Sequence, residues 1–274
     1  ADCGFHLLTS FDLKEAKELA QILDTTNRER KKIQEQVQEE AEYLIGREVS
    51  LDEDFIIVLA SENFHSGVIG IVASRLVERY FRPVVLVALE SGIGKGSARS
   101  IPKFHLHRAF TECAGHLVQF GGHAYAAGLT IEEGKVDSFR DGLNEIGNRI
   151  LRKEDLIPEL LIDTPLEISE IDRELYSQVS LMEPFGAENP SPVFLIRGVH
   201  ISGLRLIGRE KKHVRFQAVQ NKARIDAVGF NLAREFSSVD PGQDGLDLVC
   251  ELQVNDWNGR NKLELKILDL QVTG

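Results

Sequence analysis

The chain has 274 residues, of which 42% are hydrophobic and 27% are charged, which is ordinary for a globular protein with two domains. Its net charge of −11 argues against nonspecific DNA binding over the whole surface. The sequence has no apolar run of membrane-spanning length, and its three cysteines are too far apart to indicate a disulfide framework or a zinc site. These features predict a cytoplasmic protein without a membrane partner. Residues 1–5 show neither an initiator Met nor a signal peptide, which predicts a piece of a longer protein.

Residues 12–48 are predicted to form one long N-terminal helix. Asp12 followed by Glu15 is typical of a capping box, and apolar residues then recur at steps of three and four, as on one helix face. Thr25–Asn27 is a weak position where we expect the helix to bend or break. The narrow apolar stripe favours a connector between two lobes, with a coiled-coil partner as the alternative.

Residues 54–151 alternate between strand and helix patterns, which predicts an α/β domain. The runs at 55–60 and 83–89 are short, apolar and rich in Ile and Val, like strands that are covered on both faces. Helical spacing over 67–80 places a helix between them, so the three elements predict a parallel, right-handed βαβ unit. The remaining elements are predicted as helices at about 105–119 and 134–151 and a strand at 127–132.

Residues 152–192 predict a bridge, with an amphipathic helix at 172–182 and a stiff, proline-rich joint after it. Residues 193–274 are predicted to be all-β. Five alternating strands in this length favour an OB-type barrel, a fold that commonly binds single strands, and an SH3-like barrel is the alternative. The predicted strands are 193–202, 213–220, 223–230, 246–255 and 262–272.

Two segments combine glycines with one side chain that can meet an anion. Gly94–Ser100 contains Arg99, and Gly121–Gly128 contains His123. Glycine lets backbone N–H groups approach a phosphate closely, and Arg adds a fork of donors that matches phosphate oxygens. We interpret the two segments as flexible glycine turns. Together they predict one pocket that binds a phosphate or the end of a nucleic acid. The alternative is that Gly121–Gly122 only ends a helix and that His123 is a turn residue.

A basic run lies in the predicted barrel. From Arg197 to Arg224, eight Lys and Arg residues stand against one acid, Glu210, a local charge of +7. This clustering in an acidic chain predicts a groove for a polyanion, and a solvated basic loop is the alternative. The residues predicted to follow a nucleic-acid backbone are Arg205, Arg209, Lys211, Lys212 and Arg215.

Two further positions are candidates for ligand contacts. His65 precedes the predicted helix of 67–80, whose N-terminus would attract an anion, while a buried structural histidine is the alternative. Trp257 is the only tryptophan and shares a predicted turn with Arg260. It is a candidate base-stacking platform, and a side chain that caps the barrel end is the alternative. Lys95 is expected to be exposed and to contribute only electrostatic steering.

The order of the motifs resembles a known family. Four segments carry the resemblance: 63–76 with His65, 96–100 with Arg99, 120–128 with Gly-Gly-His, and 183–190 before the barrel. In this order they resemble the bacterial RecJ single-strand-specific exonucleases of the DHH phosphoesterase superfamily, over almost the whole chain. The Gly-Gly-His motif alone would also fit other superfamily members, such as the related segment of alanyl-tRNA synthetases. The barrel that follows favours RecJ.

The resemblance implies a division of the chain into four parts. Residues 1–53 would be the tail of a DHH domain and the connecting helix, and 54–151 the DHH-associated, substrate-binding domain. Residues 152–192 would be the bridge, and 193–274 an OB domain that binds nucleic acid. In the family, the preceding DHH domain holds two divalent metal ions, Mn²⁺ or Mg²⁺, through Asp and His residues. This sequence has no Asp-His-His triplet, so the resemblance implies no metal ligand and no catalytic residue in this segment, which alone would bind DNA without cleaving it.

The resemblance also implies roles for the glycine segments. Arg99 would pair with a phosphate of the 5′-terminal nucleotide, and Ser97 would add a hydroxyl donor. Gly121 and Gly122 would supply backbone N–H groups. His123 would donate a hydrogen bond to a phosphate and so assist the reaction, better when it is protonated.

Three functions follow as hypotheses from these patterns. The first is a segment of a 5′-to-3′ single-stranded DNA exonuclease in DNA repair and recombination, whose partners would be single-stranded DNA, the single-stranded-DNA-binding protein and repair helicases, with the chain a monomer. The second is a non-catalytic single-strand-binding module. The third is a scaffold that docks replication or repair proteins.

Overall fold

The structure is a computed structural model that describes residues 2–186, 188–240, 245–255 and 261–273. The chain divides into two compact units, Ala1–Pro158 and Glu159–Gly274. The helices are α1 (Asp2–Thr9), α2 (Leu13–Glu48), α3 (Ile69–Tyr80), α4 (Leu106–Glu112), α5 (Val136–Ile150) and α6 (Arg173–Ser180). The strands of the first unit are β1 (Ile57–Ser61), β2 (Val84–Glu90), β3 (Ile93–Arg99), β4 (Leu117–Gly122) and β5 (Ala126–Glu132). Those of the second are β6 (Thr164–Pro165), β7 (Phe194–Ile207), β8 (His213–Gln220), β9 (Ala223–Gly229), β10 (Gly245–Asn255) and β11 (Lys262–Thr273).

The long helix α2 begins where the sequence predicts it. Asp12 is the N-cap, and its carboxylate accepts the backbone N–H groups of Lys14 and Glu15 at 2.7 and 3.4 Å. The helix is continuous through Thr25–Asn27, so the expected break there is wrong. The Thr25 hydroxyl donates to the carbonyl of Gln21 within the helix, which gives this polar side chain a partner without opening a turn.

The first unit is a five-stranded sheet whose parallel half, β1 and β2, has helices on both faces. Its strand order is β1-β2-β3-β5-β4, and β1 and β2 are parallel, as the βαβ pattern predicts. One face, which includes Leu59 and Leu86, packs against α2 and α3. The other, which includes Val58 and Val85, packs against α4 and α5. The helices therefore bury the first three residues of β1 and the first five of β2.

Two strands of this sheet correct the sequence interpretation. The segment around Arg99 is not a flexible turn but strand β3, paired on both sides. Its glycines make room for neighbours, because a Cβ at Gly94 would lie 2.4 Å from Val87 and one at Gly96 would lie 2.7 Å from Leu129. The predicted helix at 105–119 ends at Glu112 and is followed by a 3₁₀ turn and by β4.

The second correction concerns Gly121 and Gly122. They lie in β4, where Gly121 pairs with Gly128 and Gly122 pairs with Ala127 of β5. The alternative in which they only end a helix is therefore wrong. The hydrogen bonds between β4 and β5 outweigh the helix-like spacing of the apolar residues before them. Such tertiary pairing cannot be predicted from spacing along the chain.

The second unit is a closed five-stranded barrel. Its order is β7-β8-β9-β11-β10, and β10 also pairs with β7, which closes the ring. β9 and β11 are parallel, and the other pairs of the ring are antiparallel. This topology confirms the OB-type prediction. Ile168 and Val179, which precede the barrel in sequence, are buried in its core. None of the helices in the described part of the chain is both long and apolar enough to cross a membrane.

Candidate nucleic-acid interface

Strand β3 places Ser97 and Arg99 on one face of the first unit's sheet. Both side chains approach the first turn of α3, where a Cβ on Gly70 would lie 3.0 Å from the Ser97 Oγ and 3.2 Å from the Arg99 Nη2. Glycine at this position therefore lets the helix and the guanidinium meet. No side chain caps this end of α3, so the positive end of the helix adds to the charge of Arg99.

The guanidinium of Arg99 is half-buried. Its Nη1 donates to the Ala98 carbonyl at 2.8 Å and to the Ser97 hydroxyl at 3.3 Å. Among the described residues, no acidic side chain forms an ion pair with it. A partly desolvated cation with only neutral partners has capacity left for an anion.

A floor of small residues lies beside Arg99 on neighbouring strands. Ser97 pairs with Gly128 on β5, which pairs with Gly121 on β4. A Cβ on Gly121 would meet no atom within 4 Å, and one on Gly128 would meet only the Gly96 carbonyl oxygen, at 3.7 Å. Packing therefore does not demand glycine at either position, and both leave the backbone bare on an exposed surface.

The backbones of Arg99 and His123 lie at the same end of the sheet. Arg99 pairs with Ala126 on β5, and the carbonyl of Ala126 accepts the His123 N–H at 2.8 Å. His123 itself is exposed. We call Ser97, Arg99, Gly121, Gly128 and His123 the phosphate cradle.

His65 lies in the turn before α3 and is exposed, so the alternative of a buried histidine is wrong. Its Nδ1 accepts the Gly67 N–H at 3.0 Å, which leaves the proton of the neutral ring on Nε2, where it can be donated outward. His65, Ser66 and Lys95 line a common pocket of about 550 Å³. Lys95 is exposed, as predicted, and also borders this pocket.

The basic residues of the barrel occupy its outer face and one loop. Arg209, Lys211 and Lys212 are exposed in residues 208–212, which we call the basic loop. Lys212 forms an ion pair with Glu210 at 2.5 Å, and this hydrogen bond holds the pKa of Glu210 below its ordinary value.

Arg205 and Arg215 lie side by side on β7 and β8. Arg205 is exposed, whereas Arg215 forms an ion pair with Glu264, whose side chain is only 3% exposed. Gln253 and Asn255 also donate to that carboxylate, at 2.8 and 3.1 Å. Arg215 therefore stabilises the barrel wall, and its contact with a nucleic-acid backbone stays a prediction.

Trp257 and Arg260 lie outside the described residues. The barrel nevertheless carries an exposed aromatic pair that the sequence interpretation missed. Phe230 follows β9, its ring is 5.5 Å from that of His213, and it is 50% exposed. The signal in the sequence was an aromatic residue directly after a strand that ends in glycine. Phe216, by contrast, is buried in the core against Phe236.

The described residues do not offer a metal site. They contain no group of three or more His, Cys, Asp or Glu side chains placed to hold a metal ion. We therefore derive no metal-dependent step from them.

Comparison with known proteins agrees with the geometry. The family model described as the DHHA1 domain matches residues 53–148, and the one described as the RecJ OB domain matches residues 162–269. An α/β domain of this type followed by an OB barrel defines a chain of the DHH phosphoesterase superfamily.

Comparison with individual proteins shows which family of this superfamily the chain matches. The chain is 38% identical over 275 residues to the single-stranded-DNA-specific exonuclease RecJ of Bacillus subtilis, covering 100% of this chain and 35% of that protein. It is 32% identical over 274 residues to RecJ of Salmonella typhimurium, covering 97% of this chain and 47% of that protein. The crystal structure of RecJ in complex with Mn²⁺ from Thermus thermophilus matches with a TM-score of 0.79 and 27% identity, over 98% of this chain and 38% of that chain. The chain belongs to the RecJ family, which confirms the resemblance, and it spans less than half the length of these relatives.

Proposed function

We propose that this chain is the substrate-binding part of a 5′-to-3′ single-stranded-DNA-specific exonuclease. The observation that carries the proposal is Arg99, a half-buried guanidinium without an acidic partner among the described residues, beside Ser97 and a bare glycine floor. The RecJ relatives are single-stranded-DNA-specific exonucleases, and the proposal takes its substrate class from them. Single-stranded DNA is thus the proposed partner, and the single-stranded-DNA-binding protein, repair helicases and a monomeric state remain predictions.

In this proposal the phosphate cradle receives the 5′ end. Arg99 donates to two oxygens of the terminal phosphate and Ser97 donates a third hydrogen bond, while the uncapped end of α3 adds positive potential. Gly121 and Gly128 let the strand approach the sheet closely, and His123 assists from the same end. The barrel binds single-stranded DNA through its basic loop.

In this proposal, hydrolysis of the phosphodiester bond depends on metal ions that are held outside the described residues. Crystal structures of RecJ from Thermus thermophilus are complexes with Mn²⁺ and with Mg²⁺. The side chains of the described residues do not fit such a site, so their proposed task is to bind and orient the strand. Incubation of the chain with single-stranded DNA and Mn²⁺ should give no cleavage, and metal-dependent cleavage would show that ligands had been missed.

The grip on the 5′ end is tested with Arg99→Ala. The chain should bind a 5′-phosphorylated oligonucleotide more tightly than the same oligonucleotide with a 5′-hydroxyl, as measured by fluorescence anisotropy. A hydrogen bond to a charged group contributes about 1.5–3 kcal/mol, so Arg99→Ala should remove about 10-fold or more of that preference.

Arg108→Ala is the matched control. Arg108 is exposed on α4, which packs against the opposite face of the sheet, and its loss changes the net charge by the same amount. It should leave the preference for the phosphate unchanged. If both variants lose affinity equally for both oligonucleotides, the chain has no 5′ site at Arg99, and the hypothesis of a non-catalytic binding module gains.

A further inference from the structure

The outer face of the barrel ends in an aromatic pair without a role in the core. His213 and Phe230 contact each other edge to face, with an interplanar angle of 68°. The aromatic side chains that are buried in the barrel core are Phe194, Phe216 and Phe236. Half of Phe230 therefore faces solvent.

Backbone contacts hold the His213 side chain of this pair in one position. The Nδ1 of His213 accepts the Asn231 N–H at 3.0 Å, and the carbonyl of Lys212 accepts the Ala233 N–H at 3.2 Å. Gly208 has a φ of +85°, and a Cβ there would lie 2.8 Å from the imidazole, so glycine lets the basic loop lie against His213. A side chain fixed in this way loses little conformational entropy when a ligand covers it.

Positive charge surrounds the aromatic pair. The basic loop carries Arg209, Lys211 and Lys212, and its one acid, Glu210, is paired with Lys212. In the strand register, Arg205 and Arg215 pair two positions away from His213, on the same face of the strands. A polyanion with flat, apolar groups between its charges matches this surface, and single-stranded nucleic acid has that chemistry.

We infer that Phe230, braced by His213, is a stacking platform for a base of the bound single strand. The phosphates on either side of that base lie against the basic loop and Arg205. The inference rests on the proposed function for its ligand, and it adds where on the barrel a base lies.

The experiment measures binding of the chain to a circular single-stranded oligonucleotide, which has no end for the phosphate cradle. Phe230→Ala should weaken this binding by about 5- to 150-fold, the range for loss of one base stacked on an aromatic side chain. Phe230→Trp should restore it, since it keeps a π face, whereas Phe230→Leu should not. Leu181→Ala, which removes a more exposed apolar side chain of the same unit, should have no effect.

A linear oligonucleotide that is abasic throughout separates stacking from charge. Phe230→Ala should leave its affinity unchanged, because the backbone is intact and no base is present to stack. The salt dependence of binding should also stay the same in Phe230→Ala, whereas Lys211→Gln should reduce its slope by about 0.7.

Each hypothesis is contradicted by a different experimental result. Unchanged binding of the circle by Phe230→Ala, or equal losses on normal and abasic DNA, overturns the platform while the proposed function stands. A wild-type chain that does not bind the circle overturns strand binding by the barrel, and the platform with it. Loss of the 5′-phosphate preference in Arg99→Ala is independent of both outcomes.

Discussion

Gly121 and Gly122 are neighbours in β4 but lack a side chain for different reasons. Gly122 has a φ of +143°, and a Cβ there would lie 2.4 Å from the Ala126 carbonyl oxygen and 2.5 Å from the Ala127 Cα. Both atoms belong to the backbone of β5, so relief would require the paired strands to separate. A Cβ on Gly121 meets nothing within 4 Å. The fold therefore requires glycine at 122, while Gly121 is available to a ligand.

Gly122→Ala should lower the free energy of unfolding by about 1–3 kcal/mol for backbone strain, with a similar amount added for overpacking. Gly121→Ala should change stability by less than about 1 kcal/mol, because it adds no clash. Urea denaturation of both variants measures the difference. Weaker binding of 5′-phosphorylated DNA by a fully stable Gly121→Ala would support the phosphate cradle, whereas equal stability losses would contradict the steric argument.

The three cysteines should differ in reactivity. Burial raises the pKa of the Cys113 thiol to about 11 and that of Cys250 to about 12, whereas Cys3 is partly exposed. Because the thiolate is the reactive form, one thiol per chain should react with a disulfide reagent at about pH 8, and three after denaturation. Since unfolded thiols ionise near about pH 8.5, the free energy of unfolding should also fall as the pH rises above that value. Rapid reaction of two native thiols would contradict this burial.

At the level of whole elements, the edge strand β1 is held by side chains from α5. The amide of Asn144 accepts the Ile56 N–H at 3.0 Å and donates to the Ile56 carbonyl at 3.1 Å, as a neighbouring strand would. The Nε of Arg140 donates to the Val58 carbonyl at 3.0 Å. These contacts cover backbone groups that an exposed edge would offer to another chain.

Asn144→Ala should lower the free energy of unfolding by about 1–3 kcal/mol, since it leaves two part-buried backbone groups of Ile56 without partners. Asn148→Ala, on the exposed side of the same helix, should cost little. Denaturation reports the free energy, and hydrogen exchange should show faster exchange at Ile56. A similar effect from both substitutions would mean that Asn144 acts only through helix propensity.

The sequence predicts elements best where local pattern and tertiary pairing agree. β8 is predicted at its observed bounds, because inward Val214, Phe216 and Ala218 alternate with polar residues. β3 was missed because its glycines at 94 and 96 leave room for the side chains of Val87 and Leu129 on the two neighbouring strands. Its glycines therefore look like a turn when they are considered alone.

The candidate site divides in the same way. Ser97, Arg99 and His123 were selected from a motif, and the fold brings them to one sheet, with Ser97 and Arg99 on β3 and His123 directly after β4, across β5 from Arg99. Gly128 as part of a floor, and Phe230 as an exposed ring, depend on strand register and on what covers each residue. Neither property is visible from spacing along one chain.

At the level of the molecule, each unit encloses hydrophobic cores made only from its own residues. The second unit begins at Glu159, and Ile168 and Val179 lie in the barrel core, before the first barrel strand. The barrel domain predicted from the sequence, 193–274, leaves these two side chains out. The unit that begins at residue 159 includes them. Full burial of an Ile or Val side chain contributes about 1.5–3 kcal/mol.

A fragment of residues 159–274 should accordingly fold and unfold cooperatively, while one of residues 193–274 should be less stable by about 3–6 kcal/mol or remain unfolded. Urea denaturation followed by circular dichroism compares the two fragments. Within the longer fragment, Ile168→Ala should cost about 2–5 kcal/mol, whereas Leu181→Ala, at an exposed position, should cost little. Equal stability of the two fragments would show that the segment before β7 is a linker and would favour a boundary at 193. Because the barrel carries both the basic loop and Phe230, the fragment that folds is also the one that should bind circular single-stranded DNA.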